Sequence, residues 1–231
     1  MSLMFLLAVV VGLPLMSYIS NKQLSVLEAA PANIELARIP LYFQSAFMQM
    51  SVALLACFTT KSEQIPISFK ADWNSYALGS AALLLIAGGL ISWLDVRRKK
   101  ATDEAQGRLQ YILPTNLKER AAWLLTIAIA AFCEEYIYRG VLYNVILADT
   151  GANEWIAALL CAVVFGFGHA TQGDKAVLTI IPFAMLFQLI VYLSGGLPLA
   201  IITHFIYNAG IDLLFSKKIR MPFKGNENKL E

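Results

Sequence analysis

Charge is scarce in this sequence. Only 15% of its 231 residues are Asp, Glu, Lys or Arg, against 58% that are hydrophobic, whereas soluble domains carry about 25% charged residues. With a mean hydropathy of +0.62, that shortfall excludes an ordinary water-soluble fold. Cysteine is scarce as well. Cys57, Cys133 and Cys161 are odd in number and lie inside apolar stretches, which excludes a disulfide framework and a cysteine-based zinc spacing. They read as small buried apolar side chains, with Cys133 left open as a nucleophile because it precedes a charged pair. The net charge of +2 gives no ground for a nucleic-acid partner, and none is expected. No internal repeat or low-complexity tract is present.

What is abundant is apolar sequence in long runs. A helix needs about 20 apolar residues to cross the hydrocarbon core, and seven segments qualify: roughly 3–19, 40–59, 75–94, 121–147, 154–170, 176–194 and 197–215. The chain therefore reads as one all-α membrane domain, 1–231, a polytopic bundle of about seven (six to eight) transmembrane helices. The first run lacks a basic leader, and its nearest small-residue site, Ala30-Pro31-Ala32, lies far beyond it; it is expected to stay as an anchor rather than be cleaved.

Lys and Arg cluster in 95–120 and after 216, with none between Arg139 and Lys175 or from 176 to 216. Positive residues favour the cytosolic side. Seven helices put both clusters on that side, with a cytosolic C-terminus, and the cell (plasma or inner) membrane is the expected location. Within the first cluster, 101–118 reads as a short amphipathic segment at the interface, its start marked by Thr102, Asp103 and Glu104. Pro114-Thr115-Asn116 should end it and cap the next helix. Residues 217–231 form a polar tail.

The fourth apolar segment contains Cys133-Glu134-Glu135-Tyr136-Ile137-Tyr138-Arg139. An ionised group at a helix centre costs roughly 2.5–3.5 kcal/mol on insertion scales. Glu135 and Arg139 are four apart and can pair. Glu134, about 100° around the helix, has no partner in its own segment. The fifth segment ends Phe165-Gly166-Phe167-Gly168-His169, and the seventh holds His204 and Asn208, one turn apart. The only two histidines of the chain thus fall in membrane segments beside an unpaired acid.

Peptide hydrolysis needs an activated water, an oxyanion donor and an acid for the leaving amine. A carboxylate in apolar surroundings serves as general base, His169 can hold the same water and shuttle a proton, and His204 and Asn208 can present N–H donors to an oxyanion. Gly166 and Gly168 would allow a close approach of helix or substrate. Phe132, Tyr136, Tyr138, Phe205 and Tyr207 can line a groove or simply pack. Two alternatives stay open: a catalytic zinc held by Glu134, His169 and His204, since such a site needs three protein ligands, and a non-catalytic scaffold or transporter using the same cluster. Depth adds a condition. Glu134 lies about 13 residues into its apolar segment and His169 near the far end of the next. For both to meet one water, the fourth helix must begin well below its apolar segment, or the fifth must run past His169.

The three segments resemble, in order and spacing, the motifs of the CAAX protease and bacteriocin-processing (CPBP, or Abi) family, which includes the type II CAAX prenyl endopeptidase. E-E-x-x-x-R is matched by Glu134, Glu135 and Arg139, F-x-x-x-H by Phe165 and His169, and H-x-x-x-N by His204 and Asn208. The resemblance covers about 120–215. It implies a membrane fold of roughly eight helices with a cavity open to the cytosol, and no cofactor. It further implies that Glu134 and His169 activate water, that His204 and Asn208 form an oxyanion hole, and that Glu135, Arg139 and Phe165 support them. The implied substrate is a membrane-embedded or lipid-linked protein or peptide.

Overall fold

In the computed structural model, residues 2–28, 31–98, 113–170 and 174–219 are described. Among them the chain forms seven helices and no strand. Helix α1 runs through Ser2–Leu7, a π-helical stretch Ala8–Gly12 and Leu13–Glu28. Pro31–Ser62 is α2 and Ser75–Arg98 is α3. Helix α4 runs through Leu117–Glu134, a π-helical stretch Glu135–Leu142 and Tyr143–Thr150. Glu154–Gly168 is α5, Asp174–Ser194 is α6 and Pro198–Ile219 is α7.

Among the described residues, five stretches are long and apolar enough to cross a membrane: Ser2–Ile19, Arg38–Ser62, Ser75–Leu94, Leu117–Thr150 and Lys175–Ser194. Large apolar side chains such as Leu83, Ile86 and Leu178 point outward on these helices, the surface a bilayer requires. The chain is a multi-pass helical membrane bundle.

The helices alternate in direction, which defines two ends. The lower end holds Arg98 and the start of α4; the upper end holds the turn after Thr150 and the turn at Gly195-Gly196. Asn116 caps α4 as its position after Pro114 predicts, its side-chain oxygen accepting from Glu119 N–H at 2.9 Å. Glu119 Oε2 accepts from Thr115 N–H at 2.7 Å and meets Arg38 Nη1 of α2 at 3.4 Å. The start of α4 is thereby fastened to α2. Most of the expected amphipathic segment 101–118 and most of the tail 217–231 lie outside the described residues; within the former, α4 already begins at Leu117.

Several helices overrun the apolar segments that announce them. Helix α2 continues below Pro40 through a polar turn, which hydropathy does not register. The Leu117–Thr150 stretch of α4 has 34 residues, about 51 Å at 1.5 Å per residue, against a hydrocarbon core about 30 Å thick.

At the upper end, residues 63–74 form a strap laid across the α6–α7 turn. Asp72 N–H donates to Ser194 O at 2.7 Å and Leu197 N–H to Ser68 O at 3.0 Å, while Asn74 Nδ2 donates to Leu193 O at 2.8 Å. Phe69 of the strap stacks on Phe132 and Tyr136 of α4, with ring centres 6.3 and 6.2 Å apart.

Candidate active site

Helix α4 carries the charged residues at the point where its backbone changes period. All eight residues of the π-helical stretch Glu135–Leu142 are buried. Tyr143 N–H donates to Tyr138 O, five residues back, and Asn144 Nδ2 donates to Gly140 O at 2.6 Å. Such widened turns occur often at functional sites. Glu134 ends the α-helical part and Glu135 opens the π-helical part, and Glu135 still pairs with Arg139 four residues on.

Glu135 is 0% exposed and its Oε1 accepts twice. Arg139 Nη1 lies at 3.2 Å and His204 Nδ1 at 2.7 Å. Arg139 Nη2 also donates to Ala184 O of α6 at 3.4 Å. The guanidinium lies 4.5 Å from the Phe165 ring centre and 5.4 Å from that of Phe187, where cation–π attraction offsets desolvation. The pair expected between Glu135 and Arg139 is present, and His204 is a third member of it.

Glu134 is the carboxylate left outside that pair. Its side chain is 14% exposed. Gln49 Nε2 of α2 donates to its Oε1 at 3.1 Å, and His204 Nε2 lies 3.7 Å from its Oε2. One imidazole of α7 therefore faces both neighbouring acids of α4. Two acceptor oxygens remain, Gln49 Oε1 and Glu135 Oε2, both out of solvent contact and without a hydrogen-bond partner among the described residues.

The depth condition is met by the lengths of α4 and α5. Glu134 stands 16 residues before Thr150 and His169 stands 15 residues after Glu154, so the two sit at similar depth below their shared turn. Helix α5 is short, and α4 begins far below. Tyr138 shows the same registry, since its hydroxyl is 3.4 Å from where a Cβ on Gly168 would stand. His169 Nδ1 is 2.8 Å from Phe165 O. A carbonyl oxygen only accepts, so Nδ1 carries the hydrogen and Nε2 of the neutral ring is left as the acceptor. Phe165 touches both histidines, with ring centres 4.5 Å from His169 and 6.4 Å from His204. Asn208, one turn beyond His204, is half-buried, and its side chain makes no hydrogen bond to another described residue.

The sequence reading missed Gln49 and Phe187. A neutral amide in an apolar run and one more phenylalanine carry no local signal of a site. Of the aromatic candidates, Phe132 borders a groove, Tyr136 and Tyr138 are buried, and Tyr207 stacks on Phe183 at 5.7 Å. Cys133 is buried. Beside Glu134 opens a cavity of about 480 Å³ between α2 and α4, lined by Met50, Ala53, Leu54, Ala128, Ile129, Phe132 and Cys133.

A catalytic zinc would need three convergent protein ligands. No three His, Cys, Asp or Glu side chains among the described residues are grouped to hold one. His204 Nδ1 faces Glu135 and His169 Nδ1 faces Phe165 O, which leaves Nε2 of each ring unused by these contacts.

Residues 116–210, which hold every motif residue from Glu134 to Asn208, match the family model described as type II CAAX prenyl endopeptidase Rce1-like. No curated protein and no solved structure matches the chain. Over residues 116–210 this membrane protein is therefore similar to the type II CAAX prenyl endopeptidase Rce1-like family.

Proposed function

We propose that the chain is an intramembrane endopeptidase in which Glu134 activates the attacking water, without a metal. The observation that carries this reading is the division of labour between adjacent acids. Arg139 and His204 hold Glu135, while Glu134 meets only an amide N–H and the far nitrogen of the same imidazole. A general base must be positioned yet free to take a proton, and Glu134 answers that description.

The steps balance without a co-reactant. Glu134 takes a proton from water as the water oxygen adds to the scissile carbonyl carbon. His204, whose Nδ1 is held by Glu135, and the Asn208 amide donate N–H to the oxyanion. His169 Nε2 takes the water proton from Glu134 and passes it to the leaving nitrogen as the carbon–nitrogen bond breaks, and the proton of the new carboxyl group follows by way of Glu134 to the amine. The products are a carboxylate and an ammonium group.

The substrate in this reading is a lipid-linked or membrane-associated peptide of CAAX type. Its support is the apolar groove that reaches Cys133, next to Glu134 in sequence, which would receive a lipid chain while the peptide bond meets the carboxylate. The lower end faces the cytosol, on the positive-inside argument.

The test is cleavage of a quenched peptide ending in a farnesylated CAAX sequence by the purified chain in liposomes. Glu134→Ala and His169→Ala should abolish cleavage and leave the protein folded. Full activity in Glu134→Ala overturns the mechanism. An alternative role as scaffold or transporter predicts that both variants keep their biological effect.

A further inference from the structure

We infer that Gln49 is a further catalytic residue, holding the attacking water jointly with Glu134. This deepens the proposed function and rests on it.

The starting point is an amide used at only one end. Gln49 lies on α2, outside the three motif segments, and its Nε2 donates to Glu134 Oε1 at 3.1 Å. A carboxylate only accepts, so this contact fixes which end of the amide faces Glu134. The other end, Oε1, is removed from solvent and receives no hydrogen bond from any described residue. Most buried acceptors in folded proteins are satisfied, and nothing in the packing of α2 against α4 requires an amide here. The neighbouring contacts, through Met50, Ala53 and Leu54, are apolar.

The chemistry of water attack supplies a use for that oxygen. A water molecule has two hydrogens, and a general base takes one. Unless an acceptor takes the other, the molecule can turn a hydrogen rather than a lone pair toward the carbonyl carbon. Gln49 presents such an acceptor on the same side chain that orients the base, so one amide fixes both the carboxylate and the water. Of the two side chains with a hydrogen bond or ion pair to Glu134, Gln49 and His204, Gln49 alone offers an unpartnered oxygen. The other unpartnered oxygen, Glu135 Oε2, belongs to the acid that Arg139 and His204 hold, and Nε2 of His204 serves as an oxyanion donor in the proposed mechanism. His169 contacts Phe165 rather than Glu134.

Gln49→Met removes both polar ends while keeping the length of the side chain. On the quenched farnesylated CAAX peptide in liposomes, it should lower kcat about 10- to 100-fold, with KM within about two-fold and the thermal unfolding midpoint unchanged. A merely structural role would move the midpoint or KM instead. In a double-mutant cycle, Gln49→Met should cost nothing further in a Glu134→Ala background, because the two groups act on one water. If Glu134→Ala abolishes cleavage while Gln49→Met keeps kcat within two-fold, or if the two losses multiply, the role of Gln49 is overturned and the proposed function stands. If the unaltered chain shows no Glu134-dependent cleavage of that peptide, the proposed function falls, and this inference with it.

Discussion

His204 Nδ1 lies 2.7 Å from Glu135 Oε1, a contact that ties α7 to α4 across 69 residues of sequence. Glu135 is fully buried, and Arg139 depends on it for charge compensation. Removing one partner of a buried ion pair costs about 3–5 kcal/mol, because the other is left uncompensated. Glu135→Ala should therefore lower the thermal unfolding midpoint sharply in detergent. Glu134→Ala, which strands no buried charge, should leave the midpoint within a few degrees while cleavage falls by about 10²–10⁴-fold. Equal destabilisation by the two variants would contradict the division between a supporting and a reacting acid.

Asn208 offers the cleanest separation of catalysis from folding. Its side chain makes no hydrogen bond to a described residue, so Asn208→Ala has little to lose in stability. An oxyanion donor acts only as charge develops, and losing one costs about 10²–10³ in kcat. The expected result is a fall of that size in single-turnover cleavage with an unchanged unfolding midpoint. A variant with wild-type kcat would remove Asn208 from the oxyanion hole.

Phe165 links the groups that three helices bring together. Its ring lies 4.5 Å from the Arg139 guanidinium and 4.5 Å from the His169 ring, and meets Tyr138 edge-on at 4.9 Å. Phe165→Ala opens a buried space and should cost about 3–5 kcal/mol, read as a lower unfolding midpoint. Phe165→Leu keeps much of the volume but loses the aromatic face. It should retain the fold and still cleave more slowly, because His169 and Arg139 lose their common wall.

Much of this was legible before any coordinates, for identifiable reasons. Charged residues in apolar segments are expensive, so Glu134, Glu135 and Arg139 stood out, and two histidines in membrane segments followed by the same logic. The cap at Asn116 was legible because a capping side chain acts within one turn. Gln49 was not, since an amide in an apolar helix costs far less than a charge and its meaning depends on a helix 85 residues away. The π-helical stretch was hidden because it depends on packing around α4 rather than on residue type. The common depth of Glu134 and His169 was hidden because hydropathy stops where α4 leaves the hydrocarbon, while the helix continues down to Leu117.

The proposed mechanism contains no metal, which fixes its response to metal removal. Cleavage of the farnesylated peptide should survive prolonged treatment with a zinc chelator, and elemental analysis of pure active protein should find zinc far below one per chain. Stoichiometric zinc together with loss of activity on chelation would overturn the scheme. It would also require Glu134, His169 and His204 to converge more closely than the described side chains do.

The strap 63–74 makes a prediction far from the reacting groups. Gly196 lies directly beneath it: a Cβ there would collide with the Lys70 carbonyl oxygen and stand 2.9 Å from Ser68 O and Oγ. These are mostly backbone atoms, held by the bonds from Leu197 N–H to Ser68 O and from Asp72 N–H to Ser194 O, so they cannot swing aside as a side-chain tip would. Gly196→Ala should cost about 1–3 kcal/mol or more through overpacking, seen as a lower unfolding midpoint. Because the strap also stacks Phe69 on Phe132 and Tyr136, which lie on either side of Glu134 and Glu135 in the sequence, lifting it should slow cleavage as well. Gly89→Ala is the control. A Cβ there meets nothing within 4 Å, and a helical glycine replaced by alanine gains roughly 0.5–1 kcal/mol, so its midpoint should hold or rise. If Gly196→Ala proves as stable and as active as Gly89→Ala, the strap does not brace the site from above.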